Sequence, residues 1–109
     1  MHLITVGRDA EVLATIQAGV DDLRITAGAI TVIGAVQTAT VSVMHQDDAL
    51  VDRLRHYDLP MELSGTGEIV NGRVHLHVTL YAETATFGGH LHAATVRDFF
   101  VRAYVAPLV

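Results

Sequence analysis

Between Met61 and Ala82, apolar and polar residues alternate around a central Asn71-Gly72. Asn-Gly is the strongest short-range signal for a two-residue β-hairpin, because a type I′ turn needs positive φ at both central positions. A two-residue loop fixes the register: Val70 faces Arg73, Ile69 faces Val74, Glu68 faces His75, Thr66 faces His77 and Ser64 faces Thr79. Paired residues share a face of the sheet. One face then carries Leu63, Gly65, Gly67, Ile69, Val74, Leu76, Val78 and Leu80; the other carries Glu62, Ser64, Thr66, Glu68, His75, His77, Thr79 and Tyr81. A slip of one residue would exchange the faces, so this clean division specifies the pairing.

Elsewhere the pattern is coarser. Met1 to Val6 alternates loosely and reads as a strand broken by Gly7. Val12, Leu13, Ile16, Val20 and Leu23 form one helical stripe, with Asp9 as the expected cap and an end near Asp21-Asp22, whose charges oppose the dipole there. Ile25 to Val36 is a second apolar segment in which Gly28 and Gly34 suggest a bend or a close backbone approach. Thr38 to Met44 reads as a strand from its β-branched content. The polar stretch from His45 to Asp58 reads as a loop or a short helix, and Glu83 to Ala85 as a turn. Thr86 to Val105 is a strand or pair of strands kinked at Gly88-Gly89, with Ala94 to Val105 expected to bury both faces for part of its length.

Composition sets the limits. The 109 residues, half of them hydrophobic and 17% charged, suit one domain over 1–109 with a real core. There is no Cys, which removes disulfides and thiolate metal sites. With no basic-then-apolar leader and no apolar run near the roughly 20 residues of a spanning helix, a cytoplasmic location without membrane attachment is expected. Seven Arg, no Lys and twelve acidic residues give a net charge of −5. The Arg residues are scattered apart from Arg53 and Arg55, so the isolated chain is not expected to bind nucleic acid directly. No phosphate-binding glycine loop and no Gly-x-Ser-x-Gly nucleophile occurs.

The remaining chemistry lies in histidine. His75 and His77 are two residues apart on one strand face, with Cα atoms roughly 6.5–7 Å apart, and His90 follows the Gly88-Gly89 bend. Imidazole nitrogens can converge from such positions on one ion at about 2.0–2.1 Å; the plain alternative is a polar, solvent-facing surface. Zinc is the first candidate for an all-imidazole site, with other divalent transition metals next. Glu68 shares that face and suits either a general base or a carboxylate that orients an imidazole N–H; Glu62 is open to the same alternatives. His92 is a candidate fourth ligand or a surface or subunit-contact residue, whereas His2, His45 and His56 have no partner spacing and are expected at the surface. Phe99-Phe100 is expected in the core or a subunit interface.

Several motifs in this order resemble the plants-and-prokaryotes-conserved (PPC) domain: Ile33-Gly34-Ala35-Val36, Ser64-Gly65-Thr66-Gly67-Glu68-Ile69, Arg73-Val74-His75-Leu76-His77 and Gly88-Gly89-His90-Leu91. The resemblance spans the chain. It implies an α/β (α+β) domain with a mostly antiparallel mixed sheet and one main N-terminal helix. It also implies a homotrimer and a three-histidine metal site that maps onto His75, His77 and His90. Plant relatives carry an AT-hook that this chain lacks, so a DNA-associated regulatory role rests on analogy. The family's Glu three residues before the Ser falls on Met61 here, with Glu62 one place later. A metal-binding or regulatory module is thus the leading expectation, and a metal-dependent enzyme, hydrolytic or cupin-like, the second. The cupin comparison pairs His75-Leu76-His77 with Glu83 and Gly89, but its His-to-Glu gap is one residue too long and a second motif is missing.

Overall fold

The computed structural model describes residues 1–109. Its elements are β1 (His2–Val6), α1 (Val12–Asp22), β2 (Gly28–His45), β3 (Asp48–Val70), β4 (Arg73–Tyr81), β5 (Thr86–Thr95) and β6 (Val101–Pro107). All pairings are antiparallel, in the order β1-β6-β2-β3-β4-β5. β5 also pairs with β2, which closes β2, β3, β4 and β5 on themselves. This is the α+β fold with a mostly antiparallel sheet and one helix that the family pattern implied. No helix is long and apolar enough to cross a membrane.

The ring closes because β2 changes neighbours halfway along. Gly28–Gly34 lies between β6 and β3, whereas Thr38–Ser42 lies between β5 and β3. The two apolar segments expected on either side of Gln37 are therefore one strand. A register shift against β3 falls between Val36 and Thr38, opposite Pro60, which has no N–H to give to the ladder. Gly28 and Gly34 mark close backbone approaches: a Cβ at 28 would stand 2.8 Å from the Ala106 carbonyl oxygen, and one at 34 would collide with that of Phe100.

The β3–β4 hairpin has the register that its alternation predicts, from Val70↔Arg73 through Glu68↔His75 and Thr66↔His77 to Ser64↔Thr79. Asn71 (φ 50°) and Gly72 (φ 77°) supply the two positive angles of the turn. Leu63, Ile69, Leu76, Val78 and Leu80 are buried while Glu62, Thr66, Glu68, His75 and His77 are exposed. Gly65 and Gly67 sit on the inner face, where a Cβ would run into the carbonyl oxygens of His77 and His75. Their missing side chains allow β4 to press against β3 as the sheet coils toward β5.

Helix α1 lays Val12, Ile16 and Val20 into the core beside Val6, Leu76, Leu80 and Leu91. Its cap is Glu11 and not Asp9, which takes φ 66° two residues earlier. The Glu11 carboxylate accepts from Leu13 N (3.0 Å) and Ala14 N (2.8 Å), and Oε2 also accepts from Ala94 N (2.9 Å), which ties the helix to β5. A residue with reach to both elements was needed, and the shorter Asp lies too far back. The helix ends at Asp22 as expected; Arg24 adopts φ 55°, with Arg24 N donating to Asp21 O and Ile25 N to Val20 O.

Two further expectations change. His45 to Asp58 is neither loop nor helix: apart from the turn around Gln46-Asp47, it is extended and forms an arm with the end of β2. Its polarity reflects exposure on both faces, and Leu50 is 95% exposed. β6 alternates strictly, Val101, Ala103 and Val105 inward and Arg102 and Tyr104 outward, so it buries one face within this chain. Phe99 is outside the core at φ 77° and 77% exposed, while Phe100 lies beneath the Arg102 guanidinium, 4.0 Å from its ring centroid.

Gly67→Ala is expected to destabilise the protein by on the order of 2–3 kcal/mol, since a backbone carbonyl leaves no room for the methyl group. Gly7→Ala, where nothing lies within 4 Å, is expected to change stability by less than about 0.5 kcal/mol. Thermal melts of the two variants check this; equal midpoints would contradict the close approach.

Candidate metal centre

Cross-strand pairing builds the site. Thr66 pairs with His77, His77 with His90, and His90 with Ser42 of β2, so these side chains form a row on one face across four strands. His75 lies two residues along β4 from His77 and pairs with Glu68. One ligand nitrogen from each of His75, His77 and His90 lies within 4.8 Å of the others. The ring centroids are 4.9 Å apart for His75–His77, 4.6 Å for His75–His90 and 6.1 Å for His77–His90. All three expected ligands are therefore brought together.

The residues suit a divalent transition metal. Three nitrogens on one ion at about 2.0–2.1 Å stand roughly 3.3–3.5 Å from each other. Small rotations of exposed or half-buried rings close the remaining gap. No Lys or Arg lines the adjoining cavity of about 490 Å³, which is bounded by Ser42, Val43, Met44, Asp52, Thr79 and the Gly88-Gly89 segment. Burial pulls the His90 imidazole below its ordinary value of 6.5; the neighbouring rings of His75, His92 and His77 act in the same direction, and Asp52 opposes them. His90 is thereby biased toward the neutral form that can donate a lone pair to a metal.

The other candidates separate cleanly. Glu68 adjoins His75 and His77 on the far side of the cluster, in a shallow recess with Thr66 and Gly67. Its carboxylate makes no ion pair with the rings; the one ion pair in the chain is Arg8–Asp98 at 3.8 Å. Glu62 lies away from the cluster, beside Gly34, Phe100 and Arg102. Glu83, the residue that a cupin-like site would use, is exposed in the β4–β5 turn. His2 and His56 are exposed and His45 is half-buried; His56 Nδ1 is 2.8 Å from Thr40 Oγ1, and His45 Nδ1 accepts from Asp47 N.

His92 has a different place from the one its spacing suggests. β5 has one extra residue opposite Thr40 and Val41, and that residue is His92. Its ring lies 4.7 Å from that of His90, but it is not one of the clustered ligands; its Nε2 is 2.8 Å from Ser42 Oγ. Ser42 and Asp52 are the two residues of the site that sequence pattern did not single out. Ser42 belongs to a β-branched run with nothing to mark its partner, and Asp52 to a stretch without a firm strand signature.

A small α+β domain with three clustered imidazoles on a closed antiparallel sheet defines the class of this protein. The chain belongs to the Plants and Prokaryotes Conserved (PCC) domain family, whose model matches residues 1–109. No curated protein matches the sequence. Among solved structures it is similar to a metal-containing protein from Archaeoglobus fulgidus, with 25% identity and a TM-score of 0.81 over 98% of this chain and 78% of that one. It is also similar to a plant- and prokaryote-conserved protein from Pyrococcus horikoshii (23%, 0.82, 99% and 78%). A candidate DNA-binding protein from Ralstonia eutropha JMP134 shares the fold as well (23%, 0.83, 97% and 76%).

The lowered pKa of His90 has a definite sign. Well above pH 6.5 the residue is neutral in both folded and unfolded chains and contributes nothing to pH dependence. As pH falls through 6.5 the unfolded chain takes up the proton first, so metal-free stability drops until the lowered folded pKa is passed. His90→Gln is expected to flatten that acid-side loss, as read from metal-free melts between about pH 7.5 and 5; an unchanged slope would contradict the assignment.

Proposed function

We propose that this chain is a metal-binding PPC-type module, with His75, His77 and His90 holding one divalent transition metal, zinc foremost. The convergence of three imidazole nitrogens within 4.8 Å carries this reading. The metal-containing relative from Archaeoglobus fulgidus supports it. Three protein ligands leave a side open, toward the 490 Å³ cavity. An open site of this kind either presents a metal for a ligand to bind or supplies a Lewis acid. The role assigned is binding and regulation, with Glu68 lining the same recess as His75 and His77.

Catalysis is the second reading, and the cavity beside the cluster is what favours it: a purely structural zinc site is normally closed by a fourth protein ligand. DNA binding has weaker support. It rests on the description of the Ralstonia relative, against a net charge of −5 and seven scattered arginines.

The module is proposed to work as a homotrimer. Cα extents of 38 × 35 × 16 Å make it a flat slab, and Ile33, Met44, Leu50, Leu54 and Phe99 remain exposed. Apolar exposure of this extent calls for a partner, and further copies of the chain are the simplest.

Elemental analysis of purified protein is expected to find about one transition-metal ion per chain, and His75→Ala/His77→Ala is expected to lose it while keeping its circular dichroism. Equal metal content in both would remove these ligands from consideration. Light scattering is expected to give three times the chain mass of 11.7 kDa; a monomer would end the trimer proposal.

A further inference from the structure

Ser42 is the one buried polar side chain of the molecule, 5% exposed. Three features place it beside the clustered imidazoles. It is the cross-strand partner of His90. It lines the same cavity as His75, His77 and His90. Gly89 lets β5 come so close that a Cβ there would stand 2.5 Å from the Ser42 carbonyl oxygen. The extra residue in β5 is His92, whose Nε2 lies 2.8 Å from Ser42 Oγ. No other side chain bonds that hydroxyl. A serine has one proton and two lone pairs, so a single partner leaves it with bonding capacity to spare.

We propose that Ser42, oriented by His92, is the hydrogen-bonding contact for a small oxygen ligand, of the carboxylate class, that occupies the open side of the three-imidazole site. This rests on the metal reading above. With its proton on Nε2, His92 donates to Ser42 Oγ, which leaves the Ser42 proton for a second acceptor, and Ser42 lines the cavity. A carboxylate has two oxygens, so it would have one to offer a bound metal and one to accept from the Ser42 hydroxyl. The cavity contains no Lys or Arg, and Asp52 stands in its wall, so the attraction for an anion comes from the metal, while selectivity among oxygen ligands falls to hydroxyls. Val43 and Met44 form an apolar wall for the rest of a small molecule. Ser42 and His92 are thus positioning residues for the ligand, separate from the groups that hold the metal.

Cobalt(II) binding followed by acetate titration tests this, because the visible bands of cobalt report its coordination without any known reaction. Wild type is expected to take up cobalt and to change its bands saturably with acetate. Ser42→Ala and His92→Ala are expected to weaken acetate binding about fivefold to tenfold, the loss of one hydrogen bond. Their cobalt affinity should stay within about twofold of wild type, and His92→Gln, which restores an N–H near the Nε2 position, should recover most of the acetate affinity. His92 is exposed, so its variants remain informative if Ser42→Ala does not fold. Cobalt uptake with the same acetate response in wild type and variants would overturn the Ser42 role alone, as would no acetate response in wild type. A parallel loss of cobalt affinity would make the pair structural and overturn it too. Absence of cobalt uptake by wild type would instead remove the three-imidazole site, and this inference with it.

Discussion

The approach of β5 to the second half of β2 governs the molecule. Six strands could have formed an open sheet with β5 at its edge; pairing Thr38–Ser42 with His90–Thr95 makes a ring of four. Contact at backbone distance is possible only because residue 89 lacks a side chain. The closure encloses Val36, Val41, Leu76, Leu80 and Leu91, and α1 covers them with Val12, Ile16 and Val20. The same contact sets Ser42 of β2 beside His90, which the β4–β5 pairing places next to His77. The closure thus adds a β2 wall to the site as well as enclosing the core.

Glycine is used here in places where backbone meets backbone. Gly65 and Gly67 lie beside the strand that carries His75 and His77, with the carbonyl groups of those two histidines where Cβ atoms would go. The histidine strand is thus held by the close approach of β3 and by its own buried Leu76, Val78 and Leu80, and its outer side is left to chemistry. Rigid support of this sort limits how far the ligand rings must search for a common centre, which lowers the entropic cost of assembling a metal site. Glu11 performs a similar service at the other end of β5. It caps the helix and bonds the Ala94 amide, so the strand carrying His90 is anchored at its far end.

Polarity is divided across the sheet in a way that suits assembly. One face is sealed by the helix, and the other bears the histidine row, of which His77 also lines an open hollow of about 560 Å³ with Thr31, Thr66, Thr79 and Tyr104. Beyond it the β2–β3 arm extends with apolar residues on both sides, a poor arrangement for a lone chain in water. The left-handed φ of Phe99 adds to this. Its loop is pinned by Gln37, which accepts from the amides of residues 97 and 98, so the exposed ring is presented on a fixed base.

The amino-acid sequence by itself determined the β3–β4 hairpin, down to each cross-strand pair, because a two-residue Asn-Gly turn and a period-two pattern are local signals that reinforce each other. It determined the helix and its stripe for the same reason, and with the help of the family pattern it marked His75, His77 and His90. It was silent wherever the deciding contact was distant. That β2 runs unbroken through Gln37, that Glu11 displaces Asp9 as the cap, and that an extra residue at 92 turns a candidate ligand toward Ser42 all follow from pairing between segments some fifty or more residues apart. The arm from His45 to Asp58 was hidden for another reason: a strand exposed on both faces has no alternation to display. Local periodicity records which face of an element meets the core, and only the closed sheet decides which elements meet each other.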